Sequence, residues 1–299
     1  MNQPQLIEFP TQDGLTLPGI LYEQTKTKRA AIYLHGNGTA SVFYNQKEKQ
    51  TLADVFLKND ISFLYFNNRG ANLIKSFKIK QNSDEIRKMY GTAYELIKEC
   101  VFDIDAAITF LKERGYTEFY LIGSSTGANK ICVYNHYKPT NEISKYILAD
   151  AGDDTGICYD ITGKTKFWKL LEKAKENVTK GDGEQLMKEL LPDEVFSYKA
   201  FYDVANPDGD YNCFPYYEVI NKVKLSTKEL FGYYKELVKP SLIVFGEHDE
   251  YAWGDVPRIV SFLQKEKPEF AYKIIPEANH GMSGKQQELG EIIVRWLQK

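Results

Sequence analysis

Five short apolar runs punctuate this sequence: AAIYLH (30–35), ISFLYF (61–66), EFYLIG (118–123), YILAD (146–150) and SLIVFG (241–246). Each is nearly continuous rather than alternating, the pattern of strands covered on both faces, and amphipathic segments of helical period separate them. That succession predicts a mainly parallel sheet with helices on both sides. With 299 residues, 43% of them hydrophobic, the chain has enough apolar surface to fill such a core.

Around these runs the remaining elements fall into place. Residues 5–10 and 15–23 read as a hairpin turning at Asp13-Gly14. Helices are expected over 42–58, over 101–115 with Gly115 as the capping glycine, after Gly127, over 256–266 and at ELGEIIVRWLQK, with FAYKII (270–275) as a last strand. The polar stretch 71–95 is assigned no element. From 156 to 239 the pattern changes to lysine-rich and acidic helical segments, then to FSYKAFYDVANPDGDYNCFPYY, where eight of 22 residues are Phe or Tyr. Residues 1–155 and 240–299 therefore form one sheet-centred core, with 156–239 inserted into it. The lysines of 164–188 read as a solvated helix face.

Composition narrows the partners. The net charge of -3 arises from 38 basic and 41 acidic residues that are well mixed, so no field recruits nucleic acid or an anionic membrane. The N-terminus lacks a basic segment followed by an apolar core, and no run of 18 apolar residues occurs, so the expectation is a cytoplasmic protein without integral membrane association. Cys100, Cys132, Cys158 and Cys213 are too widely spaced for a metal knuckle or a C-x-x-C pair and are expected to be reduced, mostly buried thiols. With no ligand cluster or dinucleotide loop, no metal and no cofactor is expected. Nothing in the sequence indicates an oligomeric state.

The segment Gly123-Ser124-Ser125-Thr126-Gly127 matches G-x-S-x-G. So short a pattern arises by chance in about one chain of this length in ten, so its placement carries the weight. It follows an apolar strand and precedes a helix, where a strained turn exposes the central serine and flanking glycines let strand and helix pack closely. Ser125 is that serine. A serine hydroxyl needs a base, an acid that orients the base, and N–H donors for a developing oxyanion. Of the four histidines, His35 precedes Ser125 and His136 lies in the helix just after it. His280, in the loop PEANHG after the last strand, is the candidate base, and His248 is second. Asp249, just beyond the strand SLIVFG, is the candidate acid, with Glu247, Glu250, Asp255, Asp150 and Asp153 as competitors. The amides of Thr126 and of Asn37, in the loop His35-Gly36-Asn37-Gly38, are candidate oxyanion donors.

Taken in order, HGNG, FNNRG, GSSTG, GEHD and ANHG resemble the α/β-hydrolase superfamily over almost the whole chain. The resemblance implies an α/β-hydrolase fold: an eight-stranded, mostly parallel sheet with a helical cap, here 156–239, inserted after the sixth strand. It also implies serine acyl transfer with Ser125, Asp249 and His280 as the triad, acting on a small-molecule ester. Within the superfamily, FNNRG and NPDGDYNCFPYY resemble a branch similar to fungal siderophore esterases. Amide or peptide hydrolysis, a cofactor-free lyase and a non-catalytic binding protein remain alternatives on the same fold. Arg69, which follows a strand, is a candidate contact for an anionic substrate group or else a tie between loops. Tyr216 and Tyr217 are candidate substrate contacts or part of the cap's own core.

Overall fold

The computed structural model describes residues 3–37, 41–81, 84–189 and 194–299. β1 (Gln5–Pro10) and β2 (Thr16–Tyr22) form the N-terminal hairpin, with Gly14 in its turn at φ 88°. Next come β3 (Arg29–Leu34), α1 (Gln46–Leu57), β4 (Ser62–Phe66), β5 (Lys75–Gln81), β6 (Asp84–Tyr90) and α2 (Cys100–Glu113). β7 (Glu118–Ser124), α3 (Thr126–Tyr137) and β8 (Ile143–Ala149) complete the first half. Among the described residues five helices then precede the next strand: α4 (Asp154–Thr162), α5 (Lys164–Lys180), α6 (Tyr198–Ala205), α7 (Tyr216–Asn221) and α8 (Gly232–Lys235). The chain closes with β9 (Ser241–His248), α9 (Val256–Glu266), β10 (Ala271–Asn279) and α10 (Gln286–Leu297).

Eight strands form one sheet in the order β1-β2-β4-β3-β7-β8-β9-β10. β2 is antiparallel to both its neighbours, and every other pairing is parallel. The expected both-sided burial is visible in β3. Ala30, Ile32 and Leu34 enter the apolar cluster shared with α2, α3 and α9, whereas Ala31 joins the opposite cluster under α1 and α10. Because the helices cover both faces, the parallel strands end together at one sheet edge, where the connecting loops can converge.

Two stretches differ from expectation. β5 and β6 form an antiparallel pair, although the region reads as polar. Phe77 and Ile79 alternate with charged residues, and Phe77 packs its ring 6.0 Å from that of Tyr90, so a period of two was present beneath the polar composition. β10 also continues four residues beyond Ile275, through a register irregularity and Glu277 at φ 59°. Among the described residues the α4–α8 segment has no strand and only one isolated antiparallel bridge, between Leu186 and Ser197. Its side chains Phe167, Phe201, Phe214 and Tyr234 belong to the cluster that also contains Leu121 and Leu148 of the sheet. Cys100, Cys132 and Cys213 are free and buried, and Cys158 is free and half-buried.

Arg69, weighed above as a substrate contact, is a structural residue. Its side chain is 0% exposed and pairs with Asp13 at 3.0 Å, Glu99 at 2.9 Å and Asp103 at 2.8 Å. Burial works against the guanidinium charge, but the surrounding carboxylates outweigh it and raise the Arg69 pKa. Its backbone N–H also donates to Asp103 Oδ2. The N-terminal hairpin, the β4 loop and α2 thus meet at one buried cation. Removing that cation leaves the buried Asp103 charge unpaired, which typically costs about 3–5 kcal/mol. Arg69→Met should therefore lower unfolding stability by about 3 kcal/mol or more in urea titration; a loss below about 1 kcal/mol would mean that solvent already compensates the cluster.

Candidate active site

The turn between β7 and α3 is built on atoms that leave no room for side chains. A Cβ on Gly123 would stand 2.2 Å from Gly127 O, and one on Gly127 would stand 2.3 Å from Leu34 O. A Cβ on Gly36 would come within 2.8 Å of Ser125 Cβ. These separations are too short for real contacts, so only glycine allows β3, β7 and α3 to cross here. Ser125 sits at the crossing with φ 56° and ψ −130°, a conformation that costs an L-residue on the order of 1–3 kcal/mol. Its N–H donates to Ala149 O at 2.9 Å, and its carbonyl accepts from Ala128 N at 2.8 Å. The hydroxyl-bearing residue is thereby fixed at the sheet's C-terminal edge.

His280 follows directly on β10. Its Nδ1 is 2.9 Å from Asp249 Oδ1, and Asp249 is 3% exposed. Its backbone N–H donates to Glu250 Oε2 at 2.9 Å, and the Tyr251 ring meets the imidazole edge-on at 4.7 Å. With Nδ1 engaged, Nε2 is the ring atom left for another partner. Burial disfavours the imidazolium, but the hydrogen bond and charge of Asp249, with Asp150 and Glu250 behind it, raise the His280 pKa overall. Ser125 and His280 line one cavity of about 540 Å³.

The competing acids have other partners. Asp153 caps α4, accepting from Gly156 N, and also accepts from Tyr217 N. Asp255 caps α9. Glu247 accepts from Glu277 N. Asp150, at φ 48° just past β8, accepts from Gly246 N at 2.9 Å and from Gly281 N at 3.2 Å. One carboxylate thus holds both the strand that leads to Asp249 and the residue after His280. Burial and the Asp249 charge raise the Asp150 pKa to about 7, against the two amide hydrogen bonds and His280.

The other histidines are accounted for as well. His35 accepts from Asn68 N through Nε2 at 3.2 Å while Nδ1 meets Gly36 O at 2.7 Å, which makes Nδ1 the protonated nitrogen. Burial lowers its pKa to about 3. His136 pairs with Glu236 and stacks on Tyr233, and His248 is exposed beside Glu247.

Asn37 lines the cavity, and its side-chain Oδ1 is buried without a hydrogen-bond partner among the described residues. Gly38, the last residue of that loop, lies outside the described residues. The Thr126 N–H belongs to the first turn of α3, where backbone donors have no intrahelical acceptor. Tyr216 and Tyr217 do not line the cavity with Ser125. Tyr216 is buried between Phe214 and Phe231, and Tyr217 packs against Tyr159 and Trp253. Their aromatic faces are used up in packing the α4–α8 segment.

The apolar lining of the cavity comes instead from Leu73, Ile157, Ile161, Phe196, Phe201 and Val204. Asp154 also lines the cavity and was not singled out from the sequence, where it is one of three aspartates close together after β8. A second unforeseen pair lies beneath the site. Lys130 of α3 and Glu95 are both buried and 2.6 Å apart, and a side chain on Gly70 would fall on the Glu95 carboxylate.

No curated protein matches this chain. Among solved structures, an esterase of Pyrococcus furiosus is similar at 16% identity and TM-score 0.58, over 99% of this chain and 91% of its own. Est1E from Butyrivibrio proteoclasticus with ferulic acid bound is similar at 14% identity and TM-score 0.62, over 97% of both chains. The α/β hydrolase GrgF from Penicillium sp. sh18 is similar at 16% identity and TM-score 0.59, over 99% and 97%. The architecture is that of the α/β hydrolases. The family model described as "Protein of unknown function (DUF1749)" matches residues 89–298, more than two thirds of the chain, and the chain belongs to that family.

Proposed function

We propose that the protein is a serine hydrolase of carboxylic esters, and that residues 156–239 form a cap over its substrate cavity. The observation that carries this reading is the hydrogen bond from His280 Nδ1 to the buried Asp249, with Ser125 at a strained turn in the same cavity. The names of similar structures, esterases among them, agree with it. Ser125 Oγ attacks the ester carbonyl while His280 Nε2 takes its proton. The tetrahedral oxyanion is held by the amides of Thr126 and Asn37, and its collapse expels the alcohol, to which His280 returns the proton. A water molecule, deprotonated by the same imidazole, then cleaves the acyl-enzyme and restores Ser125.

Asp249 keeps the imidazole in the tautomer that presents a bare Nε2 to the serine and stabilises the imidazolium formed in each step. Among the described residues Ser125 and His280 share no hydrogen bond. Such pairs tighten when substrate fills the site, so the open geometry is compatible with the role.

Ser125→Ala should reduce turnover of chromogenic esters by about 10³-fold or more, since triad members act as a unit. A fluorophosphonate should label wild-type protein at Ser125 and leave the variant unlabelled. Turnover that survives Ser125→Ala would refute the assignment. Amide analogues assayed beside the esters would separate esterase from amidase activity.

The pH profile tests His280. A protonated imidazole cannot act as base, and the upward shift of its pKa places the acid limb of kcat/KM above the ordinary histidine value of about 6.5. Asp150→Asn removes one charge that supports the imidazolium and one acceptor for the two amides. Its limb should move to lower pH, with kcat reduced by about tenfold through misplacement of the His280 loop. A limb unmoved by this change would deny Asp150 any influence on His280.

A further inference from the structure

The cavity beside Ser125 is mostly apolar, yet Asp154 faces it. Asp154 opens α4 and is half-buried, and it lines the cavity in which Ser125 lies. Its two oxygens accept from Thr126 Oγ1 at 3.2 and 3.1 Å. A single point locates it relative to the reacting groups. A Cβ on Gly152 would stand 3.7 Å from Asp154 Oδ2, 3.9 Å from Ser125 Oγ and 4.0 Å from Thr126 N. The carboxylate therefore shares one small region with the nucleophile and with an oxyanion donor.

Among the described residues Asp154 has no ion pair, and no lysine or arginine lines the cavity. Lys130 and His280 are near enough to act on it electrostatically, but Lys130 is held by Glu95 at 2.6 Å and His280 by Asp249 at 2.9 Å. Glu194 adds a second acidic residue to the lining. Burial pushes the Asp154 pKa up to about 6, with Glu95 adding to the rise and Thr126, His280 and Lys130 working against it, so the group is ionised at pH 8. An ionised carboxylate there has no ion-pair partner among the described residues and opposes the oxyanion that the Thr126 amide would hold. A positive group on the substrate would relieve both.

We propose that Asp154 is a specificity-determining residue and that the preferred substrates are esters carrying an ammonium or guanidinium group a few bonds from the scissile carbonyl. The proposal rests on the serine-hydrolase reading above. The carboxylate receives the cation through charge-assisted hydrogen bonds, and the apolar wall from Ile157, Phe201 and Val204 receives the carbon chain.

The test uses matched ester pairs followed by acid release at pH 8. One pair carries a primary ammonium or a methyl group at the end of the acyl chain, and the other carries the same groups on the alcohol. In at least one pair the wild type should favour the cation by about tenfold or more in kcat/KM, the size of one hydrogen bond to a charged group. In Asp154→Asn the same ratio should fall to near one. Because the ratio is taken within each protein, general damage to the site cancels, and fluorophosphonate labelling of Ser125 reports whether the variant is folded.

A second measurement needs no variant. Butylammonium should inhibit hydrolysis of the methyl-terminated ester by the wild type competitively and more strongly than butanol does. No cation preference in either pair, a preference that survives Asp154→Asn, or equal inhibition by butylammonium and butanol would overturn the proposal while leaving the hydrolase intact. Failure to hydrolyse any of the esters together with failure of Ser125 to be labelled would overturn both.

Discussion

Backbone crosses backbone behind Ser125, and the site is arranged around that contact. The carbonyls of Leu34 and Gly127 occupy the space that side chains on Gly127 and Gly123 would need. This close approach sets where β3, β7 and α3 lie relative to one another, and it forces Ser125 into its unfavourable backbone conformation. The strain is tolerated because the Ser125 amide is tied to Ala149 O and its carbonyl to the next turn of helix. Without that crossing the hydroxyl would have no fixed position from which to meet a histidine 155 residues further along the chain.

The loops at the same sheet edge are held by polar groups whose partners lie far away in sequence. His35 accepts from Asn68 N, which joins the loops after β3 and β4. Arg69, the next residue, gathers Asp13, Glu99 and Asp103. Asp150 spans the Gly246 and Gly281 amides, so the loop after β8 is tied to β9 and to the loop after β10. The ties to His35, from Arg69 to Asp103 and from Gly246 to Asp150 are buried, where a satisfied hydrogen bond is stronger and an unsatisfied one costs more than in water. Rigidity at the edge therefore follows from the penalty of breaking any single member. The apolar part of the cavity lining comes mainly from the segment after β8, through Ile157, Ile161, Phe196, Phe201 and Val204.

Most of the sheet was legible in the sequence because its strands are short continuous apolar runs, and the elbow was legible because its glycines sit in fixed relation to one serine. The β5–β6 pair was missed because alternation of two apolar residues among lysines resembles a polar loop. The positions of Asp249 and His280 could be placed at strand ends by order along the chain. Choosing among Asp249, Glu250 and Asp150 needed coordinates, since all three lie close to His280 and differ only in which of its atoms, or its neighbour's, they meet. Arg69 illustrates the same limit. An arginine after a strand serves a ligand or the loops according to whether carboxylates surround it, and Asp13, Glu99 and Asp103 are scattered over 90 residues of sequence. Asp154 was overlooked because Asp150, Asp153 and Asp154 look alike on paper, and only one of them opens onto the cavity while accepting from Thr126.

The helices between β8 and β9 share their apolar cluster with the sheet, so moving them as a body would open that cluster to water. Swinging those helices away as a body would bring Phe167, Phe201, Phe214 and Tyr234 into water, at a cost of roughly 1.5–3 kcal/mol for each side chain. The cavity-lining residues that already reach solvent include Ile161 and Tyr251, 54% and 48% exposed. Rotation of side chains at that rim is a far cheaper way in, and it would let molecules be sorted by width at the threshold before any contact with the serine.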